Sequence, residues 1–181
     1  MDAENLKKLI LKAKGGDSGA FEEVYSTYYT PLFRYIYSRV KSKEEAEDMT
    51  QNVFIKIWNA VPTWNASHTS PLSFFFTVAR NTMIDYFRKS SHKEIVSDEV
   101  IRKFADTVGS HMDTESQETK DSLLLAISKL TDEQREVITL FYTQDLTYEE
   151  ISTITGKRQD AIRQIHSRAM KKLRDLYKHN I

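Results

Sequence analysis

Residues 130–177 carry the tightest constraint in the chain. Thr131-Asp-Glu-Gln134 and Thr147-Tyr-Glu-Glu150 each place a hydroxyl residue three positions ahead of an amide or carboxylate that can reach back to its N–H. That is the pattern of a capping box, and each instance predicts a helix start. The first helix carries Val137, Ile138, Leu140 and Phe141; the second is short, with Ile151 and Ile154, and Gly156 ends it. A longer helix follows from about Gln159 to Tyr177, with Ile162, Ile165, Ala169, Leu173 and Leu176 as its apolar stripe. A capped short helix, a turn with glycine and an amphipathic second helix are the parts of a helix-turn-helix. Opposite the stripe stand Arg163, Gln164, Ser167, Arg168, Lys171 and Arg174. Arg and Gln pair with guanine and adenine edges in the major groove, and the later Lys and Arg suit phosphates. A basic helix face alone is usually just solvated. On the second helix of such a motif it predicts duplex-DNA binding.

The formal net charge of zero argues the other way until the charges are placed. From Thr147 to Ile181 there are eight Lys/Arg against four Asp/Glu, and from Arg80 to Lys93 four against one. From Glu94 to Asp121 there are eight acids against three bases. Two basic segments flank an acidic one.

The first of those basic segments ends the stretch Pro71–Lys89. It reads as one helix with Ser70 as cap and Pro71 in its first turn. Leu72, Phe75, Phe76, Ala79, Thr82, Met83 and Tyr86 share a core face. Ser73, Phe74, Thr77, Arg80, Asn81, Ile84, Asp85 and Arg88 share the other. An aromatic ring among hydroxyl, amide and guanidinium groups suits unpaired nucleobases, which take a stacking platform, edge hydrogen bonds and a cation for the backbone. The plainer alternative is that Phe74 packs on a neighbouring helix.

Upstream, residues 4–14 form a short helix with Leu6, Leu9, Ile10 and Ala13 inward, ended by Gly15-Gly16. Asp17 caps the next helix, which buries Phe21, Val24, Tyr25 and Tyr28. Pro31 is expected to restart the chain, with Leu32, Phe33, Ile36, Tyr37 and Val40 continuing the same core. Ser42 and Glu45 form a further capping box, opening a helix to about Ala60. Its core stripe is Ala46, Met49, Val53, Ile57 and Ala60. A second face holds Glu47, Asp48, Gln51, Phe54, Ile55 and Trp58. Large aromatics rimmed by polar groups mark partner surfaces; cover by another helix of the same domain is the alternative. Pro62–Ser70 is a turn-rich loop containing Trp64.

Few β-branched alternating runs, three prolines and five glycines give an all-α class. Two small helical domains are expected, at 1–90 and 119–181, joined by an acidic linker at 91–118 with a weak helical patch at Val100–Phe104. The absence of cysteine excludes disulfides and thiolate metal sites and fits a reducing cytoplasm. No apolar run approaches the roughly 18 residues of a membrane span, and the N-terminus lacks a signal core. The five histidines, at 68, 92, 111, 166 and 179, have no HxxxH or HExxH spacing, and no GxxxxGK[ST] run occurs. No catalytic residue, metal or cofactor is expected.

Three segments together resemble the sigma-70 family of bacterial RNA polymerase sigma factors, in its extracytoplasmic-function (ECF) class. They are AEDMTQNVFIKIW (46–58), PLSFFFTVARNTMIDYFRK (71–89), and LTDEQREVITLFYTQDLTYEEISTITG followed by AIRQIHSRAMKKLR (130–174). The resemblance covers about residues 5–90 and 119–177. It implies no enzymatic activity. It implies a cytoplasmic protein that binds core polymerase, recognises −35 and −10 promoter elements and promotes DNA opening, with an anti-sigma partner in many members. The family's surface for core polymerase matches Asp48, Gln51, Asn52, Phe54, Ile55 and Trp58. Its −10 reader matches Phe74, Phe76, Thr77, Arg80, Asn81, Asp85 and Arg88, with the specificity loop at Trp64–Ser70. Its −35 reader matches Arg163, Gln164, Ser167, Arg168 and Lys171.

The pattern departs from the family in three places. Phe74 and Phe76 stand where Trp then Tyr are usual, which keeps a stacking face and loses the polar tip. Lys157 follows Gly156 in place of an apolar residue, so either the turn packs differently or Lys157 and Arg158 add phosphate contacts. Ile165-His166 replaces Arg-Leu, leaving His166 at the edge of the stripe and away from bases. The rival reading is a stand-alone helix-turn-helix regulator with an N-terminal sensing domain. It leaves the faces around Trp58 and Asn81 unexplained.

Overall fold

The computed structural model describes residues 3–40, 42–65, 70–89 and 126–178, all of them in helices, turns or short connections with no strand. The helices are α1 (Ala3–Lys14), α2 (Ser18–Tyr37), α3 (Lys43–Ala60), a 3-10 turn (Val61–Thr63), α4 (Pro71–Lys89), α5 (Asp132–Thr143), α6 (Tyr148–Thr155) and α7 (Gln159–Lys178). They divide into two compact units, residues 1–95 and 96–181. The expected linker at 91–118, its helical patch at Val100–Phe104 and the loop positions 66–69 lie outside the described residues.

In the first unit, local chemistry sets where helices begin and tertiary packing sets how far they run. Gly16 leaves α1 at a φ of 96°, and the Asp17 carboxylate accepts from the Ala20 N–H at 3.0 Å to start α2. Ser42 Oγ accepts from Glu45 N–H at 3.1 Å at the head of α3, and Ser70 Oγ accepts from Ser73 N–H at 3.1 Å at the head of α4. Pro31 does not restart the chain: α2 runs unbroken through it to Tyr37. A proline inside a helix costs about 3 kcal/mol. Val24, Tyr28, Leu32, Tyr35 and Ile36, all buried on one side of α2, span the proline and offset that cost.

These side chains meet Leu6 and Ile10 of α1, Val53 and Ile57 of α3, and Phe75, Phe76 and Ala79 of α4 in one core. Polar ties fix the register of α3 on α4. Lys56 Nζ donates to Thr82 Oγ1 at 3.0 Å, and the Tyr86 hydroxyl donates to the Glu45 carboxylate at 3.1 Å.

The second unit has its own core of Ala126, Ile127, Leu130, Ile138, Ala169 and Leu173. Both capping boxes form reciprocally, at Thr131/Gln134 and Thr147/Glu150. Gly156 closes α6 in the left-handed region at a φ of 70°, its N–H reaching the Ser152 carbonyl. The chain therefore turns sharply from α6 into α7, as the helix-turn-helix pattern predicts.

Candidate nucleic-acid interface

The outer face of α3 is built on aromatic packing. Asp48, Gln51 and Asn52 are exposed, and so are Ile55 at 58% and Trp58 at 40%. Phe54 is not part of this surface, being only 3% exposed. Its ring lies 4.6 Å from that of Tyr25 and 6.4 Å from those of Tyr29 and Phe21. The adjacent face of α3 is covered by α2, so Phe54 anchors α3 while its neighbour Ile55 faces outward. Trp58 leans on Phe21 at 4.7 Å, which fixes the indole and still leaves part of it open.

Phe21, Tyr25, Phe33 and Tyr37, expected in the core, instead form with Tyr29 a row along α2, and Tyr25 is 38% exposed. Phe21, Tyr25, Tyr29, Phe33 and Tyr37 recur at every fourth residue, and successive rings from Tyr25 to Tyr37 lie 5.4, 6.1 and 5.5 Å apart. The i,i+4 spacing was the available signal. Burial, then the neighbouring Tyr25 and Glu47, raise the Tyr29 pKa above its ordinary 10.0, against the opposing pull of Lys43. The hydroxyl therefore stays protonated in the working pH range. Tyr25 is exposed beside Phe54.

On α4 and in the turn before it the two predicted faces separate, with four reassignments. Phe76 is 1% exposed and meets Tyr35 edge-on at 5.2 Å, so it is a core residue and offers nothing to DNA. Ser73 is buried too, its Oγ accepting from Ser70 Oγ at 3.0 Å. Trp64, at 6% exposure, sits with its ring centroid 6.4 Å from that of Phe74. It supports Phe74 from beneath rather than presenting a face of its own. Lys14 Nζ donates to the Trp64 carbonyl at 3.0 Å and helps hold it. Trp64 Nε1 and Thr77 Oγ1 are buried without a hydrogen-bond partner among the described residues. Thr77, expected on the DNA-facing side, therefore has no hydroxyl to offer a base; the outward row is half-buried Phe74, Arg80 and Asp85, with exposed Asn81, Ile84 and Arg88. Arg88 pairs with Asp85 at 3.0 Å, an exposed i,i+3 pair worth too little to hold the guanidinium back from a phosphate.

On α7, Arg163, Gln164, Ser167, Arg168 and Lys171 are all exposed, together with Arg158 in the turn. Lys157 is differently placed. Its ammonium pairs with Glu133 of α5, and its carbonyl accepts from Ser152 Oγ, so it braces the turn. His166 faces inward among Phe141, Tyr142 and Tyr148, at ring separations of 4.8, 5.7 and 5.5 Å. Its Nδ1 lies 3.3 Å from the Tyr148 hydroxyl, and burial lowers its pKa below the ordinary 6.5.

Among the described residues no group of His, Asp or Glu is placed to hold a metal ion, and no helix is long and apolar enough to cross a membrane.

Residues 24–93 match the family described as Sigma-70 region 2, and residues 126–175 match Sigma-70, region 4. The ECF RNA polymerase sigma factor SigM of Bacillus subtilis is 32% identical over 161 residues, covering 88% of this chain and 96% of the relative. The ECF RNA polymerase sigma factor BldN of Streptomyces coelicolor is 28% identical over 173 residues. That match covers 95% of this chain and 66% of BldN. Two solved structures share the fold. CnrH, in complex with the cytosolic domain of CnrY, gives a TM-score of 0.70 at 19% identity over 99% of this chain and 100% of that one. The sigma factor RpoE of Bartonella quintana, in complex with the anti-sigma factor NepR, gives 0.63 at 21% identity over 87% and 96%.

Proposed function

Because the chain belongs to the sigma-70 family of RNA polymerase sigma factors, in its ECF class, we propose a division of its surfaces among core polymerase, the −10 element and the −35 element. The chain is a transcription initiation factor that gives core polymerase its promoter choice. Core polymerase meets the α3 face of Asp48, Gln51, Asn52, Ile55 and Trp58, with Tyr25 of α2 beside it. Phe54 acts from within by holding that face in place.

The opened −10 strand meets the outward row of α4. Phe74, backed by Trp64, is the platform; Asn81 is the edge reader; Arg80 and Arg88 hold the backbone, while Thr77 keeps its hydroxyl inside. Unstacking a base costs a few kcal/mol, and stacking with edge contacts returns a similar sum. Strand opening is driven by this binding and calls for no catalytic residue in the chain. The −35 duplex meets α7, where Arg163 and Gln164 face base edges and Ser167, Arg168 and Lys171 the backbone. Arg158 adds a phosphate contact, while Lys157 serves the turn. The protein works in the cytoplasm with the transcription machinery, and an anti-sigma factor is a further expected partner.

One observation carries this reading: Ile55 and Trp58 remain exposed on α3, on a helix whose neighbouring face is fully packed. A stand-alone helix-turn-helix regulator has no use for such a surface. Run-off transcription with core polymerase over a promoter library tests it. Promoter-dependent initiation, lost on omission of the chain, is the expected result. Duplex binding without any effect on core polymerase would refute it.

A further inference from the structure

Arg163 is an exposed side chain on the first turns of α7, and a free arginine there samples many rotamers. A base reader gains selectivity when its donor fork is already aimed. The structure supplies an aiming group. Arg163 Cζ lies 5.6 Å from the ring centroid of Tyr148, within the range of a cation–π contact.

Tyr148 is itself held by its cap and by two neighbouring rings. It follows the cap residue Thr147, whose hydroxyl accepts from Glu150 N–H at 3.2 Å while the Glu150 carboxylate accepts from Thr147 N–H at 3.0 Å. The backbone of α6 is thus pinned where the tyrosine leaves it. Its ring stacks on Phe141 at 5.0 Å and 21°, and meets His166 edge-on at 5.5 Å and 70°. Its hydroxyl sits 3.3 Å from His166 Nδ1. His166 lies one turn after Arg163 on the same helix, so the edge-on ring contact, which needs no hydroxyl, also sets the ring's distance from the guanidinium.

We propose that Tyr148 is a positioning residue that aims the Arg163 guanidinium and so sharpens the base preference at the −35 base pair Arg163 reads. This rests on the assignment of Arg163 as a base reader. Nothing in the role requires Tyr148 to touch DNA.

The test is initiation by the full chain with core polymerase over a −35 library, comparing Arg163→Ala, Tyr148→Phe, Tyr148→Met and Tyr148→Leu. Arg163→Ala identifies the base pair by erasing selectivity there. Tyr148→Met fills the volume without a π face, and lowers selectivity at that base pair about two- to fivefold. Tyr148→Leu is the second variant for the same loss, should Met disturb folding. Tyr148→Phe keeps the ring and retains selectivity. Adding Tyr148→Met to Arg163→Ala changes nothing further at that base pair. NMR of the full chain provides a readout that a merely structural role would not move. The Arg163 δ-methylene protons are shifted upfield by the ring in the native chain and in Tyr148→Phe, and return to random-coil positions in Tyr148→Met. Unchanged selectivity in Tyr148→Met, or a loss spread equally over all −35 positions, overturns the positioning role alone. Unchanged selectivity in Arg163→Ala overturns the base-reading assignment and the positioning role with it.

Discussion

Phe74 and Phe76 stand two residues apart on α4 and do opposite work, because two positions along a helix turn a side chain by about 200°. Phe76 is sealed against Tyr35, while Phe74 is half open above Trp64. Truncating each has a different signature. Phe74→Ala removes a stacking platform worth roughly 1–3 kcal/mol, and Asn81→Ala an edge contact. Both are expected to reduce permanganate reactivity at the −10 strand while binding to core polymerase persists; native reactivity in both variants would refute the single-strand role. Phe76→Ala should instead lower the unfolding free energy of the first unit by about 3–5 kcal/mol, read by denaturant titration. His166 sets a pH limit on the second unit. Its folded pKa lies below the ordinary 6.5, so between those two values the folded chain binds fewer protons than the unfolded one. Its contribution is complete above pH 6.5 and is lost as the pH falls from 6.5 through the lowered pKa. Thermal melts followed by circular dichroism at pH 8 and pH 5 should show the loss, and His166→Phe should flatten it.

At the scale of elements, α2 and α3 act as one part. The aromatic row on α2 fills the face of α3 that carries Phe54, and this fixes the outward direction of Ile55 and Trp58. The core face of α2, with Val24, Tyr28, Leu32, Tyr35 and Ile36, carries the helix through Pro31. Trp58→Ala should therefore weaken core association by about 1–2 kcal/mol without changing the melting temperature much, because the indole is partly open already. Phe54→Ala should lower both stability and core association, because it loosens the support of the surface. Equal melting behaviour of the two variants in circular dichroism, with equal binding in a core pull-down, would refute this division.

At the scale of the molecule, charge is segregated rather than absent. A chain of formal net charge zero presents Arg158, Arg163, Arg168 and Lys171 on one exposed helix and turn. A net value says little about a protein whose partners meet it one face at a time. Salt should expose the difference between readers and clamps. Lys171→Ala is expected to weaken −35 binding evenly across sequences and to reduce the slope of log K against log salt by about 1. Fluorescence anisotropy with duplexes at several ionic strengths measures that slope, and an unchanged slope would remove Lys171 from the phosphate contacts.

How much of this was legible in the sequence follows the range of the forces involved. Caps at Asp17, Ser42, Ser70, Thr131 and Thr147 and the stop at Gly156 are contacts within a few residues, and periodicity alone placed nearly every helix and the turn between α6 and α7. The exposure of Asn81, Arg163 and Lys171 followed from the same periodicity. Phe54 and Trp64 are buried against expectation, since their cover comes from elements distant in sequence; Phe76 is buried as its periodicity predicts, against the reader role that the resemblance implies. Pro31 reads locally as a break for the same reason: the cost is real, and burial elsewhere along α2 offsets it. Sequence by itself determined the helices, their caps and which residues could serve as readers. Only the tertiary structure decided which aromatic rings remain exposed and which arginine of α7 lies over a tyrosine ring, because burial and ring contacts depend on what other helices bring alongside.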